Sequence, residues 1–168
     1  TINYETNYPL REDIVASFGV NQGFVIGIGK DVKIEDRFFI GGNSFRGFSS
    51  GGIGPRDKAT GDSLGGNMFY VGTAEVSFPI GLSPALGVSG IAFTQAGSLA
   101  HIDERGNVAL FDVGSVRVST GVGLAWKSPL GPFRIDYATA LRKESLDKTQ
   151  DIFFSFGNLR FTACGTSP

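Results

Sequence analysis

The chain has 168 residues and a formal net charge of −1, and only 18% of its residues are charged. This balance offers no basic surface for nucleic acid, and one cysteine with one histidine excludes an internal disulfide and a multi-cysteine or histidine-rich metal site. No apolar run reaches the roughly 18 residues of a transmembrane helix, which leaves membrane-spanning strands as a possibility.

Alternating apolar and polar residues recur along most of the chain, and a period of two indicates β-strands rather than helices. In chain order, the pattern predicts strands at 1–8 (the second half of a strand that begins upstream), 14–29, 69–80, 88–99, 116–127, 133–142 and 152–161. Short turns are predicted at 9–13, 79–84 and 128–132, and longer connections at 31–67, 101–114 and 144–150, the last with a polar turn at 146–150. Short turns at one rim and long loops at the other are typical of outer-membrane β-barrels.

The segment at 116–127 shows the alternation most clearly. Its mainly apolar face comprises Val116, Val118, Thr120, Val122, Leu124 and Trp126. On the polar face, full charges fall in mid-strand at Glu75, Arg117, Arg134 and Asp136. A soluble β-sandwich would show the same alternation with its apolar face inward, so the period alone leaves both architectures open. Glycines clustered on the polar face and a broad, aromatic apolar face favour a barrel whose apolar face meets lipid.

The connection at 31–67 is too long and too apolar for an ordinary loop or a disordered linker. Its apolar residues are Phe38, Phe39, Ile40, Phe45 and Phe48. We therefore predict that the connection folds back and packs against the strands, with Arg46 as its anchor. Taken by itself, a loop arginine is more often solvated, and the motif around it decides between the two interpretations.

That motif is RFFIGGNSFRGF at 37–48, which resembles the sixth extracellular loop of the BamA-like outer-membrane assembly proteins. The signature of that family is (V/I)RG(F/Y), preceded by a D/E-RF-hydrophobic-GG run. Here its four positions are Phe45, Arg46, Gly47 and Phe48. The segments GGIGPRD, GDSLGGN, AEVSFPI, KSPLGPFRIDYA and FSFG also resemble the family, so the resemblance covers nearly the whole chain.

The resemblance implies an all-β, antiparallel transmembrane barrel of 16 strands, preceded by periplasmic POTRA domains. Residues 1–161 would form the last six strands and part of a seventh, and 162–168 a polar tail. Because two sheet edges would stay open, we expect the chain to be a fragment of a longer protein.

The family's loop places its arginine in the barrel lumen against acidic residues of the two following strands. The first acidic position matches Glu75. The second belongs to an F-x-D-x-G motif whose aspartate is replaced here by Gln95. An uncharged amide accepts a hydrogen bond without charge assistance, so Glu75 is predicted to be the main partner of Arg46.

In the family, the last strand forms one side of a lateral gate, which implies this role for Ile152, Phe154, Phe156, Gly157 and Phe161. Phe161 follows Gly157 by four residues, where bacterial members usually show three, and seven residues follow Phe161. Mitochondrial sorting relatives have a similar ending. The resemblance therefore implies the bacterial outer membrane, with the mitochondrial outer membrane as the alternative.

The function implied is the assembly and insertion of outer-membrane proteins. The expected partners are outer-membrane lipid, unfolded β-barrel clients and accessory subunits that bind the POTRA domains. A two-partner secretion translocator and a soluble β-sandwich binding module are the alternatives. We expect no enzyme activity, cofactor or metal, since His101 is better explained as a solvated loop histidine than as a general base, and the glycine-rich stretches at 27–31 and 51–55 lack a phosphate-binding motif.

Overall fold

The computed structural model of this chain describes residues 1–83, 86–102, 110–111, 114–129 and 131–156. One antiparallel sheet of seven strands dominates it, and its strand order follows the chain. The strands are β1 (Ile2–Arg11), β2 (Ile14–Phe24), β5 (Met68–Pro79), β6 (Val88–Ala100), β8 (Arg117–Ser128), β9 (Gly131–Arg142) and β11 (Ile152–Phe156). The predicted all-β, antiparallel fold is confirmed, and among the described residues no helix is long and apolar enough to cross a membrane.

Two predicted strand boundaries are wrong. β1 runs through Pro9 to Arg11, with an irregular register there, because an edge strand tolerates a proline that lacks a ladder N–H. β2 ends at Phe24 rather than at Gly29, because its partner β5 begins opposite, at Met68. Beyond Phe24 the sequence still alternates, but β5 does not extend far enough to pair with these residues. Residues 157–161 of the predicted last strand lie outside the described residues.

The two faces of the sheet differ in exposure in the way that a barrel requires. On β8, Val122, Leu124 and Trp126 are 57%, 51% and 46% exposed, while Arg117 and Ser119 on the opposite face are fully buried. A β-sandwich would place the apolar face in its core. The sheet instead presents that face outward and directs its polar face inward.

The long connection covers the inner face and supplies much of its core. Phe45, Phe48 and Ile53 of the connection are fully inaccessible to solvent. They pack with inward residues of β5 and β6, namely Phe69, Val71 and Leu99. A second inner cluster comprises Ile91, Phe93, Ala125, Ala138 and Phe153. The connection is thus held by burial of aromatic side chains, each contributing on the order of 1.5–3 kcal/mol.

Two short strand pairs fix the backbone of the inserted connection. β3 (Gly47–Phe48) pairs with β10 (Thr149–Gln150), and β4 (Arg56–Asp57) pairs with β7 (Leu110–Phe111). The predicted polar turn at 146–150 therefore contains a strand, which the sequence did not reveal. Buried backbone N–H and C=O groups of the connection require partners, and the chain before β11 supplies them.

Candidate functional site

The backbone around Gly47 aims Arg46 at the sheet. Gly47 has a φ of +94°, a conformation that side chains with a Cβ rarely adopt. A Cβ at this position would also lie 2.8 Å from Cβ of Ser119 on β8. Gly47 thus allows both the turn and the close approach of the loop to the wall of the sheet.

Arg46 is 7% exposed and reaches three side chains of the sheet. Its Nη1 and Nη2 lie 3.3 and 3.2 Å from Oε2 of Glu75 on β5. Nη1 also donates to Oδ2 of Asp136 on β9 at 3.1 Å. The backbone N–H and Nε of Arg46 both donate to Oε1 of Gln95 on β6, at 2.9 and 3.2 Å. The predicted contact residues Glu75 and Gln95 therefore surround this guanidinium.

Gln95 stands where the family motif has an aspartate, and a second carboxylate is supplied from elsewhere. Asp136 lies on β9, beyond β8, and is 2% exposed. The sequence placed Asp136 on the inner face beside Arg134 but did not connect it to Arg46. Alternation could identify its face, whereas its proximity to Arg46 depends on the register of three strands and on the depth of the loop.

Arg134 completes a closed network of two guanidiniums and two carboxylates. It donates through Nη1 and Nη2 to the two oxygens of Glu75, at 3.0 and 2.8 Å. Its Nε lies 3.0 and 2.7 Å from the two oxygens of Asp136. Each carboxylate thus faces both arginines, and the four formal charges cancel. Charges shielded from water are stable only when they are paired in this manner.

An aromatic ring forms the floor of the network. The guanidinium carbon of Arg46 lies 3.5 Å from the ring centroid of Phe93, and that of Arg134 lies 5.8 Å from it. A guanidinium over an aromatic face is stabilised by about 0.5–2 kcal/mol, depending on desolvation. The side-chain nitrogen of Gln95 also has a partner, since Nε2 donates to Oγ1 of Thr73 at 2.9 Å.

Glycines of β8 make room for the network. A Cβ at Gly123 would lie 1.9 Å from Oδ1 of Asp136, and one at Gly121 would lie 2.6 Å from the ring of Phe93. Glycine residues on the inner face thus allow large side chains from neighbouring strands to converge. In chemical terms the network holds a loop in place: its charges neutralise one another, and among the described residues no group of three His, Cys, Asp or Glu side chains could hold a metal ion.

The predicted gate residues divide between described and undescribed parts of the chain. Ile152, Phe154 and Phe156 are 56%, 70% and 61% exposed on the outer face of β11. Within the described sheet β11 pairs with β9 on one side and forms an edge on the other. Gly157, Phe161 and the predicted tail at 162–168 lie outside the described residues.

Comparison with known proteins gives a consistent result. Residues 1–159 match the Omp85 superfamily domain. The outer membrane protein assembly factor BamA of Neorickettsia risticii is 40% identical over 144 residues, which cover 85% of this chain and 19% of that protein. BamA of Neisseria meningitidis serogroup B is 30% identical over 94% of this chain and 23% of its own length. The chain spans about a fifth of these relatives.

A eukaryotic relative and a solved structure match as well. The mouse sorting and assembly machinery component 50 homolog is 36% identical over 106 residues, covering 59% of this chain and 22% of that protein. The crystal structure of BamA from Haemophilus ducreyi lacking POTRA domains 1–3 superposes with a TM-score of 0.76 at 26% identity, over 90% of this chain and 33% of that one.

Proposed function

This chain belongs to the Omp85 superfamily, and from that premise we propose that the complete protein folds β-barrel proteins and inserts them into an outer membrane. The relatives named as outer membrane protein assembly factors support this function. The observation that carries the proposal is the orientation of the sheet, with exposed apolar side chains outward and a neutral network of charges inward. That arrangement suits a wall between lipid and a polar lumen.

The proposed mechanism uses backbone pairing at a sheet edge. Within the described sheet β11 pairs with β9 on one side only, and such an edge can template an incoming strand. Ile152, Phe154 and Phe156 would line this gate on the lipid side. A client strand would pair there, and the seam between the first and last strands of the complete barrel would then open and release it sideways into the membrane. No covalent bond is made or broken, so the proposed mechanism requires no cofactor and no enzyme chemistry.

Arg46 would brace the lumen wall during this process. The loop that carries it contacts β5, β6 and β9 at one point, so it ties three strands of the wall together. A fixed wall opposite a weak seam would confine opening to the seam. The motif residues Phe45, Gly47 and Phe48 serve this role by packing and by backbone geometry.

We infer the surroundings of the complete protein from the same relatives. It would reside in the bacterial outer membrane, with the mitochondrial outer membrane as the alternative that the sorting and assembly relative suggests. Its partners would be outer-membrane lipid, unfolded barrel clients and accessory subunits bound to POTRA domains in the rest of the protein.

A reconstitution experiment tests the function. The full-length protein is placed in liposomes, an unfolded β-barrel client is added, and folding is followed by the heat-modifiable migration of the client in gels. We expect faster folding than in liposomes alone, and slower folding with the Arg46→Ala variant. Arg142→Ala, which changes an exposed arginine at the end of β9, is the matched control and should leave the rate unchanged.

The outcomes separate insertion from the alternatives. Equal folding rates with and without the protein would refute the proposal. Client that crosses into the liposome interior, protected from protease but not integrated in the bilayer, would indicate a polypeptide translocator instead.

A further inference from the structure

A second pair of buried charges lies outside the Arg46 network, where the connection between β9 and β11 meets β8. Nε and Nη2 of Arg117 lie 3.0 and 3.3 Å from the two carboxylate oxygens of Asp147. The side chains of this pair are 1% and 2% exposed. A two-point contact between a planar guanidinium and a carboxylate fixes orientation as well as distance. The connection is therefore held to the start of β8 by a directional contact.

Asp147 also closes the turn in which it lies. Its Oδ2 accepts the backbone N–H of Glu144 at 2.7 Å, and its own N–H donates to the carbonyl of Glu144 at 3.1 Å. The side chain of Glu144 in turn accepts a hydrogen bond from Oγ of Ser115 at 2.6 Å. One carboxylate thus sets both the shape of the turn and its position against β8.

The residues directly after Asp147 pair with the arginine loop. The carbonyl of Lys148 accepts the N–H of Ser49 at 2.9 Å, and the N–H of Lys148 donates to the carbonyl of Gly52 at 2.9 Å. β10 then continues the pairing, with Thr149 opposite Phe48. The next residue, Asp151, accepts the N–H of Ala138 at 2.8 Å, and β11 begins after it.

We propose that Asp147 is a positioning residue that couples docking of the arginine loop to the start of the last strand. Four residues, 148–151, separate Asp147 from Ile152, and two of them pair with Phe48 and Ser49. The Arg46 network attaches the loop to the sheet. The Arg117–Asp147 pair and the strand pairing next to it attach the loop to the segment that precedes β11. Loosening either attachment loosens the other. The coupling belongs to the barrel itself and does not depend on the proposed insertase function.

Hydrogen exchange of backbone amides in the full-length protein, folded in lipid nanodiscs, measures this coupling. Asp147→Asn keeps the size of the side chain and removes its charge. We expect exchange in 47–52 and at the start of β11 to become faster by about tenfold or more, the factor that corresponds to losing one charge-assisted hydrogen bond. Asp31→Asn removes the same charge from an exposed position of the connection at 31–67, which also contains 47–52, and should change neither segment. Faster exchange confined to 144–148, with 47–52 unchanged, would overturn the proposal.

A reverse experiment keeps the proposal testable if Asp147→Asn does not fold. Arg46→Ala releases the loop on its other side, and coupling predicts faster exchange at Lys148 and at the start of β11. A disulfide from Ser49→Cys with Lys148→Cys, in a background free of other cysteines, joins positions that lie opposite each other across an antiparallel pair, a separation that suits a disulfide. Closing this disulfide should restore slow exchange at the start of β11. Unchanged exchange at these sites in Arg46→Ala would refute the coupling.

Discussion

Gly123→Ala should damage the arginine network although none of the four charged residues of the network is replaced. The added methyl group would lie 1.9 Å from Oδ1 of Asp136 and 2.9 Å from the carbonyl oxygen of Ile135. Asp136 would have to turn away, and it would then lose its contacts with Arg46 and Arg134 at 3.1 and 2.7 Å. Hydrogen bonds to charged groups contribute about 1.5–3 kcal/mol each, and the two are not additive, so we expect the barrel to lose about 3 kcal/mol of unfolding free energy.

The matched control is Gly19→Ala. Gly19 also faces the lumen, but the nearest atom to an added Cβ would be the carbonyl oxygen of Tyr4 at 3.8 Å, an ordinary contact. Replacing a glycine where space and backbone allow stabilises by about 0.4–1 kcal/mol, so this variant should be neutral or slightly more stable.

The assay is urea unfolding of the full-length protein in lipid vesicles, with the folded fraction read from heat-modifiable migration. A double-mutant cycle with Asp136→Ala separates the two clashes at position 123. Once the carboxylate is absent, adding the methyl group should cost little beyond its contact with the backbone of Ile135. Two results would show that the clash with the Asp136 carboxylate is not the cause. One is an equal loss of unfolding free energy from Gly123→Ala with and without Asp136→Ala; the other is equal stability of Gly123→Ala and Gly19→Ala.

Three further perturbations follow from the same contacts. Arg46→Lys should lower the free energy of unfolding by about 2 kcal/mol, because one ammonium group cannot replace the contacts of the guanidinium with Glu75, Gln95 and Asp136. An unchanged urea midpoint of unfolding would contradict this prediction. The charge swap Glu75→Arg with Arg46→Glu should fail to restore client insertion, because Arg134 would then face a new cation and Asp136 a new anion; full rescue would show that Arg46 and Glu75 form an isolated pair. Arg56→Met should expose the segment at 57–62 to faster cleavage by proteinase K, because the buried Arg56 donates to the carbonyls of Gly51 and Gly61 at 2.8 and 2.9 Å; an unchanged cleavage rate would argue against that anchoring.

The alternation of residues determined the strands and their faces. In an extended chain successive side chains point to opposite sides, so Val122 and Leu124 had to share one face and Ser119 and Gly123 the other. This relation is local, which explains why the sequence predicts all seven long strands. It could not decide which face is buried, because a sandwich and a barrel have the same period. The motif at Phe45–Phe48 supplied that information through family resemblance.

The partners within the lumen were decided by tertiary structure. Asp136 stands 90 positions from Arg46 and meets it only because β5, β6, β8 and β9 pair in one register while the loop reaches a particular depth. The pairing of Thr149 with Phe48 likewise depends on the position of the loop against the inner face of the sheet. The sequence by itself determined the strands, their two faces and the motif that carries Arg46, because these depend on neighbouring residues. The tertiary structure alone decided the contact of Asp136 with Arg46 and that of Asp147 with Arg117, because these contacts join residues that are distant in the chain.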